Sequence, residues 1–384
     1  MKEISCPVCR SEHRTATAVG HTFIRHQDFL PMKRKPKEMH LCDRCRTIYL
    51  RDDDVSSELD AMYHGEEYAK KRKSEHVVFA PGGAGAAVPR TTYSCMAELI
   101  AKHSVPPEKK RTARFLDIGC FDGKLSTELG RLFPGAELHG FDVSEHIGEI
   151  FPKDARYRYH CGDLKKIDGR YDLITIVNTM PYVDDLPGFM ERLDALLAPG
   201  GAIFFLNPNA AKNPFFLTCG DQFIYTTPAS TRNFWRHFGY SAEIVTDDPS
   251  FPRSVLGTAR RDARKGPVAY ESDDTLEKGL SYLSRAAAEI KSAVADHKRR
   301  GAGGRVVVLG ATNNAAWAFH TLGKELSCFA DENPNRAGRK FYGLEVVSPA
   351  TLGERDLLLV PYAESARALA EKISRVCKAD IRPF

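Results

Sequence analysis

No run of this sequence approaches the ~18 consecutive apolar residues that a membrane helix needs, so a membrane-spanning chain is not expected. The first residues, Met1-Lys2-Glu3-Ile4-Ser5-Cys6, carry no apolar stretch of the kind that directs secretion, and a cytoplasmic setting is the expectation. An excess of one charge is missing too: 55 Lys and Arg against 50 Asp and Glu leave a formal +5 over 384 residues. That balance is small for a nucleic-acid footprint, and a nucleic-acid partner is not expected. There is no internal repeat. In a reducing setting the ten cysteines read as thiols and metal ligands rather than as a disulfide framework.

What is present is enough apolar material for sizeable cores, 42% hydrophobic residues beside 27% charged. The length suits two or three domains. Residues 1–75 are polar and rich in Cys, His, Lys and Arg. A Gly/Ala/Pro stretch, Ala80 to Pro89, reads as a loop, and a longer region, 76–265, alternates helix and strand. Apolar strands are expected at Phe115–Gly119, Glu137–Asp142, Tyr157–His160, Leu173–Val177 and Ala202–Leu206, with helices between them. A long helical pattern from Thr275 to His297 opens the last region, 266–384. There Arg305–Gly310 begins a second, smaller β–α–β unit. Such alternation predicts open, mostly parallel α/β sheets.

Cys6-Pro7-Val8-Cys9 and Cys42-Asp43-Arg44-Cys45 are two C-x-x-C knuckles. Each presents two thiolates from one tight turn, and together they make a closed four-sulfur site suited to structural zinc. Four unligated thiols or a redox pair is the alternative. The other six, Cys95, Cys120, Cys161, Cys219, Cys328 and Cys377, show no such pairing and are expected as small core residues.

Between Phe115 and Asp163 lies the densest chemistry. Asp117-Ile118-Gly119-Cys120-Phe121-Asp122-Gly123 follows an apolar strand and opens a helix, where glycine lets backbone approach a ligand. Asp142 ends the next strand, where a carboxylate can accept two ribose hydroxyls, and Asp163 follows the third, within reach of an adenine amino group. A dinucleotide turn would read G-x-G-x-x-G; this one is G-x-x-x-G with acids beside it. Carboxylates repel phosphate and suit a cationic ligand, which points to S-adenosylmethionine. Another nucleotide is the alternative.

Asp117 to Gly123, Asp142, Asp163 and the run Ala198-Pro199-Gly200-Gly201 resemble the successive motifs of class I S-adenosylmethionine-dependent methyltransferases. The resemblance implies that Asp117, Gly119, Cys120, Phe121 and Gly123 hold the methionine part and that Asp142 and Asp163 hold ribose and adenine. It also places Asn178, ending the fourth strand, at the methyl-transfer position. The three-part layout, with Ile118 to Gly123, Val177-Asn178 and Asp331-Glu332-Asn333-Pro334, is similar to the nucleotide-sugar C-methyltransferases of deoxysugar biosynthesis. The fold then implied is a Rossmann-like methyltransferase sheet with an N-terminal zinc-binding segment and a smaller C-terminal α/β domain. The acceptor implied is a nucleotide-linked or otherwise activated sugar. That family's Glu-His pair stands here as Asp221-Gln222, while its Tyr is kept as Tyr225. A glutamine is no base, so the expectation moves from C- toward O- or N-methylation, with Asp221 as a candidate base and Tyr225 as a donor to an oxyanion.

His237 is expected as a surface or packing residue on a helix. In the last region, Asn313, Asn314 and Asp331 follow a one-glycine turn at Gly310 and are candidates for holding a polar tail of the acceptor, a purely packing domain being the alternative. Two further function classes stay open: an RNA methyltransferase using Lys33-Arg34-Lys35 and Lys70-Lys71-Arg72-Lys73, and a catalytically degenerate binding protein. Tyr63, Tyr68 and the loop near Gly82 are candidates to cover the donor.

Overall fold

The computed structural model describes residues 5–21, 35–50, 63–66, 77–78, 90–105, 113–262, 268–301 and 303–384. Tyr68, the loop near Gly82 and most of the two basic runs lie outside them. The chain divides into two compact units. The first comprises Met1–Ala16, His40–Asn209 and Gln222–Asp273, the second Thr17–Met39, Ala210–Asp221 and Asp274–Phe384.

The strands up to residue 261 are β1 (Arg14–His21), β2 (Lys35–Cys42), β3 (Ile48–Leu50), the short pair β4 (Val77–Val78) and β5 (Arg90–Thr91), β6 (Arg114–Ile118), β7 (Glu137–Asp142), β8 (Tyr157–Cys161), β9 (Tyr171–Val177), β10 (Leu197–Pro208), β11 (Ile224–Tyr225), β12 (Tyr240–Val245) and β13 (Ser254–Arg261). Seven of them form the main sheet in the order β12-β13-β10-β9-β6-β7-β8. Its inner strands are parallel, and β13 runs antiparallel to both β10 and β12. β6 and β9 are almost wholly buried, as strands covered on both faces must be.

Helices Thr92–His103 and Lys124–Leu132 cover one face, turning Met96, Ile100, Leu125 and Leu129 onto Phe115 and Leu138. On the other face helix Leu186–Leu196 contributes Met190 and Leu193, and helix Pro228–His237 contributes Phe234 and Trp235. Each helix starts on a side-chain cap, Asp185 accepting from Gly188 N and Thr227 sharing a reciprocal pair with Ser230. The second face's core runs without a break into Cys6, Val8, Cys9, Cys42, Cys45 and Tyr49. The N-terminal segment therefore shares its interior with the main sheet.

In the second unit, β14 (Val306–Leu309), β15 (Cys328–Ala330), β16 (Lys340–Phe341), β17 (Leu344–Val347), β18 (Leu357–Val360) and β19 (Asp380–Pro383) form one sheet in the order β16-β17-β15-β14-β18-β19. Helices Thr275–Arg299, Asn313–Leu322 and Ala366–Ile373 accompany it. Residues 210–221 pack here: the Phe215 ring stands edge-on to Trp317 at 4.9 Å and to Tyr282 at 5.7 Å. Of the six unpaired cysteines five are buried, but Cys161 is exposed. The expectation of a core residue fails there because Cys161 ends β8, the edge strand of the main sheet.

Candidate functional site

The main sheet reverses direction of winding between β6 and β9: β7 and β8 lie to one side, β10 to the other. At such a switch point the loops leaving neighbouring carboxyl ends part and open a crevice, the usual ligand site of an open α/β sheet. Asp117, the Gly119–Gly123 turn, Asp142, Asp163 and Asn178 all come from the carboxyl ends of β6, β7, β8 and β9.

Asp117 is buried at the end of β6, and its Oδ1 accepts a 2.6 Å hydrogen bond from the Thr175 hydroxyl on β9. Burial pushes its carboxyl up to about 7, against the Thr175 bond, and the charges of Asp142 and Asp122 push the same way. The turn that follows is held by backbone bonds from Gly119 N and Cys120 N to Phe141 O, at 2.8 and 3.0 Å. Phe121 N donates to Asp142 Oδ2 at 3.2 Å, and Ser144 N lies 3.4 Å from Asp142 Oδ1. The ribose candidate thus also organises the turn. Cys120 is buried, and desolvation holds its thiol neutral. Asp163 is exposed; its side chain accepts from Lys165 N at 2.9 Å and caps a short turn.

Four residues of the turn and of the loop after β9 hold left-handed backbone: Gly119 at φ 77°, Phe121 at φ 45°, Gly123 at φ 69° and Asn178 at φ 53°. For Phe121 and Asn178 that conformation is costly and persists because the surroundings impose it. Asn178 N, for example, donates to Leu206 O at 2.7 Å. A Cβ on Gly119 would meet Thr179 Oγ1 at 2.1 Å, and that hydroxyl donates to Ile118 O or Val177 O at 3.1 and 3.2 Å. Gly119→Ala therefore combines a strained φ with a clash. We expect it to destabilise the unit by about 2 kcal/mol or more, read from the midpoint of a urea unfolding curve.

The acceptor-side candidates lie on other segments of the chain. Tyr225 is buried on β11, which pairs with β3. Asp221 is buried too, at the end of the 210–221 segment in the second unit. Gln222, the residue after it, is buried in the first unit and donates from Nε2 to Tyr182 OH at 3.2 Å. Tyr63 meets Tyr182 edge-on at 6.3 Å. His237 packs against Tyr270, with Nδ1 2.8 Å from its hydroxyl, as the sequence suggested. Thr175, Thr179 and Tyr182 escaped sequence reasoning because their roles depend on partners 40 to 60 residues away.

The four cysteines meet as expected. Cys6 Sγ lies 3.5 Å from Cys45 Sγ and Cys9 Sγ 3.5 Å from Cys42 Sγ, and all four sulfurs lie within 4.8 Å of one another, buried. Both knuckles have one geometry. Arg10 N donates to Cys6 O and Arg46 N to Cys42 O, each at 3.0 Å, with Arg10 and Arg46 left-handed at φ 59° and 61°. Hydrogen bonding to Cys42 pushes the Cys6 and Cys45 thiols up, and the bond with Cys45 holds Cys42 down, so the cluster already shares its protons unevenly. Tetrahedral zinc with Zn–S near ~2.3 Å sets sulfurs ~3.8 Å apart, a spacing this cluster fits. Among the described residues no other group of three or more Cys, His, Asp or Glu converges in this way.

In the second unit the polar candidates are occupied internally. Asp331 pairs with Arg336 at 2.8 Å and accepts from Ala311 N at 3.0 Å. Asn314 Nδ2 donates to Pro361 O at 2.7 Å, and Asn313 Nδ2 lies 2.6 Å from Cys219 Sγ. At Gly310 the space of a Cβ is taken by the Tyr362 hydroxyl, 2.2 Å away.

Residues 91–242 match the family model described as a methyltransferase domain. A ubiquinone biosynthesis O-methyltransferase of Coxiella burnetii is 29% identical over 139 residues, 34% of this chain and 58% of the relative. A malonyl-acyl-carrier-protein O-methyltransferase of Bacillus cytotoxicus is 28% identical over 131 residues, 31% of this chain and 46% of that one. Among solved structures, the CcbJ methyltransferase of Streptomyces caelestis aligns with 52% of this chain and 98% of its own, at 18% identity and a TM-score of 0.39. The chain spans about half the length of the curated relatives it matches. Residues 91–242 thus carry a methyltransferase domain. No helix among the described residues is long and apolar enough to cross a membrane.

Proposed function

We propose that this protein transfers a methyl group from S-adenosylmethionine to a small-molecule acceptor, a nucleotide-linked or otherwise activated sugar methylated on oxygen or nitrogen. The observation that carries the donor half is the set of carboxylates around one glycine turn. Asp117 is buried, Asp142 is bonded to the turn, and Asp122 is paired with Lys124 at 3.2 Å. Such a set attracts the ammonium and sulfonium of the donor and repels a pyrophosphate. Gly119, Cys120, Phe121 and Gly123 would line the methionine part, Asp142 would take the ribose hydroxyls and Asp163 the adenine. Asn178, held left-handed at the end of β9, would stand at the transfer position.

The chemistry is an in-line displacement at carbon, so positioning supplies most of the rate. An oxygen acceptor also needs its proton taken up. Tyr225 remains the acceptor-side candidate within the first unit. Asp221, buried in the second, is assigned no step. The acceptor half rests on the three-part layout: a zinc-binding segment 1–75, the methyltransferase region 76–265 and the α/β region 266–384. The two relatives' O-methyltransferase names suit the loss of the Glu-His pair. Zinc on Cys6, Cys9, Cys42 and Cys45 would be structural, and a reducing, cytoplasmic setting suits these thiols.

Thermal unfolding with S-adenosylhomocysteine present, and dTDP, UDP, GDP, CDP or ADP added singly, tests the acceptor class. A ligand at 100 times its Kd adds about 2.7 kcal/mol. One nucleotide selectively raising Tm is the expected result. No response to any of them removes the nucleotide-linked acceptor.

A further inference from the structure

The four-cysteine cluster connects to the loop that follows β9 through a series of bonds within the first unit. The second knuckle runs directly into β3, and β11 lies antiparallel on it, Ile224 opposite Tyr49 and Tyr225 opposite Ile48, all four buried. Leu50 N donates to Phe223 O at 2.9 Å, and Phe223 N donates to Pro181 O at 2.7 Å. The neighbouring Gln222 donates its amide to Tyr182 OH. Tyr182 N in turn donates to Thr179 O at 3.0 Å, and Thr179 is the residue whose hydroxyl fills the space beside Gly119.

A second tie lies behind this one. Asn233, fully buried on helix Pro228–His237, donates from Nδ2 to Cys45 O at 3.1 Å and to Glu271 O at 2.9 Å, and accepts from Glu271 N at 2.7 Å. Arg46, which closes the second knuckle, donates to Asp273 O at 2.8 Å. Both ends of the stretch from Gln222 to Asp273 are thereby fastened to the second knuckle or to the strand that follows it.

We infer that the four-cysteine segment holds in place an acceptor wall made of Tyr63, Tyr182 and Gln222, with Gln222 and Tyr182 as positioning residues. This rests on the methyltransferase reading above, since the wall matters only beside a donor. The wall stands one turn beyond Thr179 at the carboxyl edge of β9. Two half-buried phenol rings, with the buried Gln222 amide bonded to Tyr182, carry no formal charge, a surface that matches a neutral hydroxylated ring by face contact and hydrogen bonds. The donor turn's own bonds, by contrast, run to Phe141 and Asp142, with Thr179 packed beside Gly119, and none of them goes directly to a knuckle residue. Loss of the metal should loosen the acceptor side and spare the donor side.

Hydrogen exchange on the full chain, before and after zinc is stripped with a mercurial and a chelator, tests this, with the Kd for S-adenosylhomocysteine measured on both samples. Exchange is expected to accelerate about tenfold or more at 48–50, 180–183 and 222–237, while helix 124–132 and the Kd change by less than about twofold. Acceleration that stops within residues 5–50, or that spreads to helix 124–132 with loss of binding, overturns the inference, as does a chain purified without zinc. Gln222→Ala supplies a folded check: zinc stays at one per chain and exchange rises at 180–183, whereas unchanged exchange there removes Gln222 from the chain of bonds. Failure of the zinc-loaded protein to bind S-adenosylhomocysteine would instead sink the methyltransferase reading and leave the coupling itself measurable.

Discussion

Cys42→Ser is expected to lose nearly all bound zinc and to unfold far more readily than the parent chain. Four thiolates would share the ion, and a serine hydroxyl is a poor replacement for one of them. Structural zinc in small domains carries about 10–16 kcal/mol of apparent binding energy, which is available only to the folded arrangement. Here the knuckles also line the core of the main sheet, beside Tyr49, Ile224, Phe234 and Trp235, so the loss cannot stay within the segment. A conservative cost of about 3 kcal/mol shifts the Tm of a unit this large by roughly 6–12 °C. Zinc content by elemental analysis and a calorimetric melt check both parts. A variant that loses zinc and keeps its Tm would show the four sulfurs to be ordinary core thiols.

Asp117→Asn should move stability and donor binding in opposite directions. In the folded chain this carboxyl titrates at about 7, against an ordinary value of 3.8. Between those values the folded protein holds a proton that the unfolded chain has released, so stability falls as pH rises from 4 to 7. Asparagine removes that slope, and the variant should be more stable than the parent at pH 8 by about 2 kcal/mol. Binding runs the other way. A donor ammonium beside Asp117 favours the carboxylate, so affinity for S-adenosylhomocysteine should rise by up to about tenfold from pH 6 to pH 8 in the parent. The variant should bind weakly and without that pH dependence. A stability gain at the expense of ligand affinity marks a group kept for its charge rather than for packing. Equal binding by both proteins at pH 8 would remove Asp117 from the donor site.

Much of the central sheet was readable because its strands are short apolar runs closed by glycine turns. Glu137–Asp142 appears with the boundaries the pattern suggested, and Phe115–Gly119 is displaced by one residue. The hairpin of β12 and β13 was not anticipated. Tyr240-Ser-Ala-Glu-Ile-Val245 lacks a clean alternation, and Gly257 interrupts β13 where a Cβ would strike Glu243 O at 2.1 Å. In sequence, residues 210–221 read as part of the central region because nothing local announces that Phe215 packs on Trp317, about a hundred residues later. At the site the acids and glycines were visible by type and spacing. Thr175, Thr179 and the Gln222–Tyr182 bond were not, since strand pairing and loop closure bring them together.

The most direct test is a calorimetric titration of S-adenosylhomocysteine into the full chain and into Asp142→Ala. The carboxylate of Asp142 both holds Phe121 N and is the ribose candidate, so its removal strikes the donor site twice. We expect one site per chain at micromolar Kd, weakened about a hundredfold or more in the variant, as the loss of a charged acceptor from two or more hydrogen bonds implies. No binding by the parent chain, or equal affinity in the two proteins, would contradict the placement of the donor at the carboxyl ends of β6 and β7.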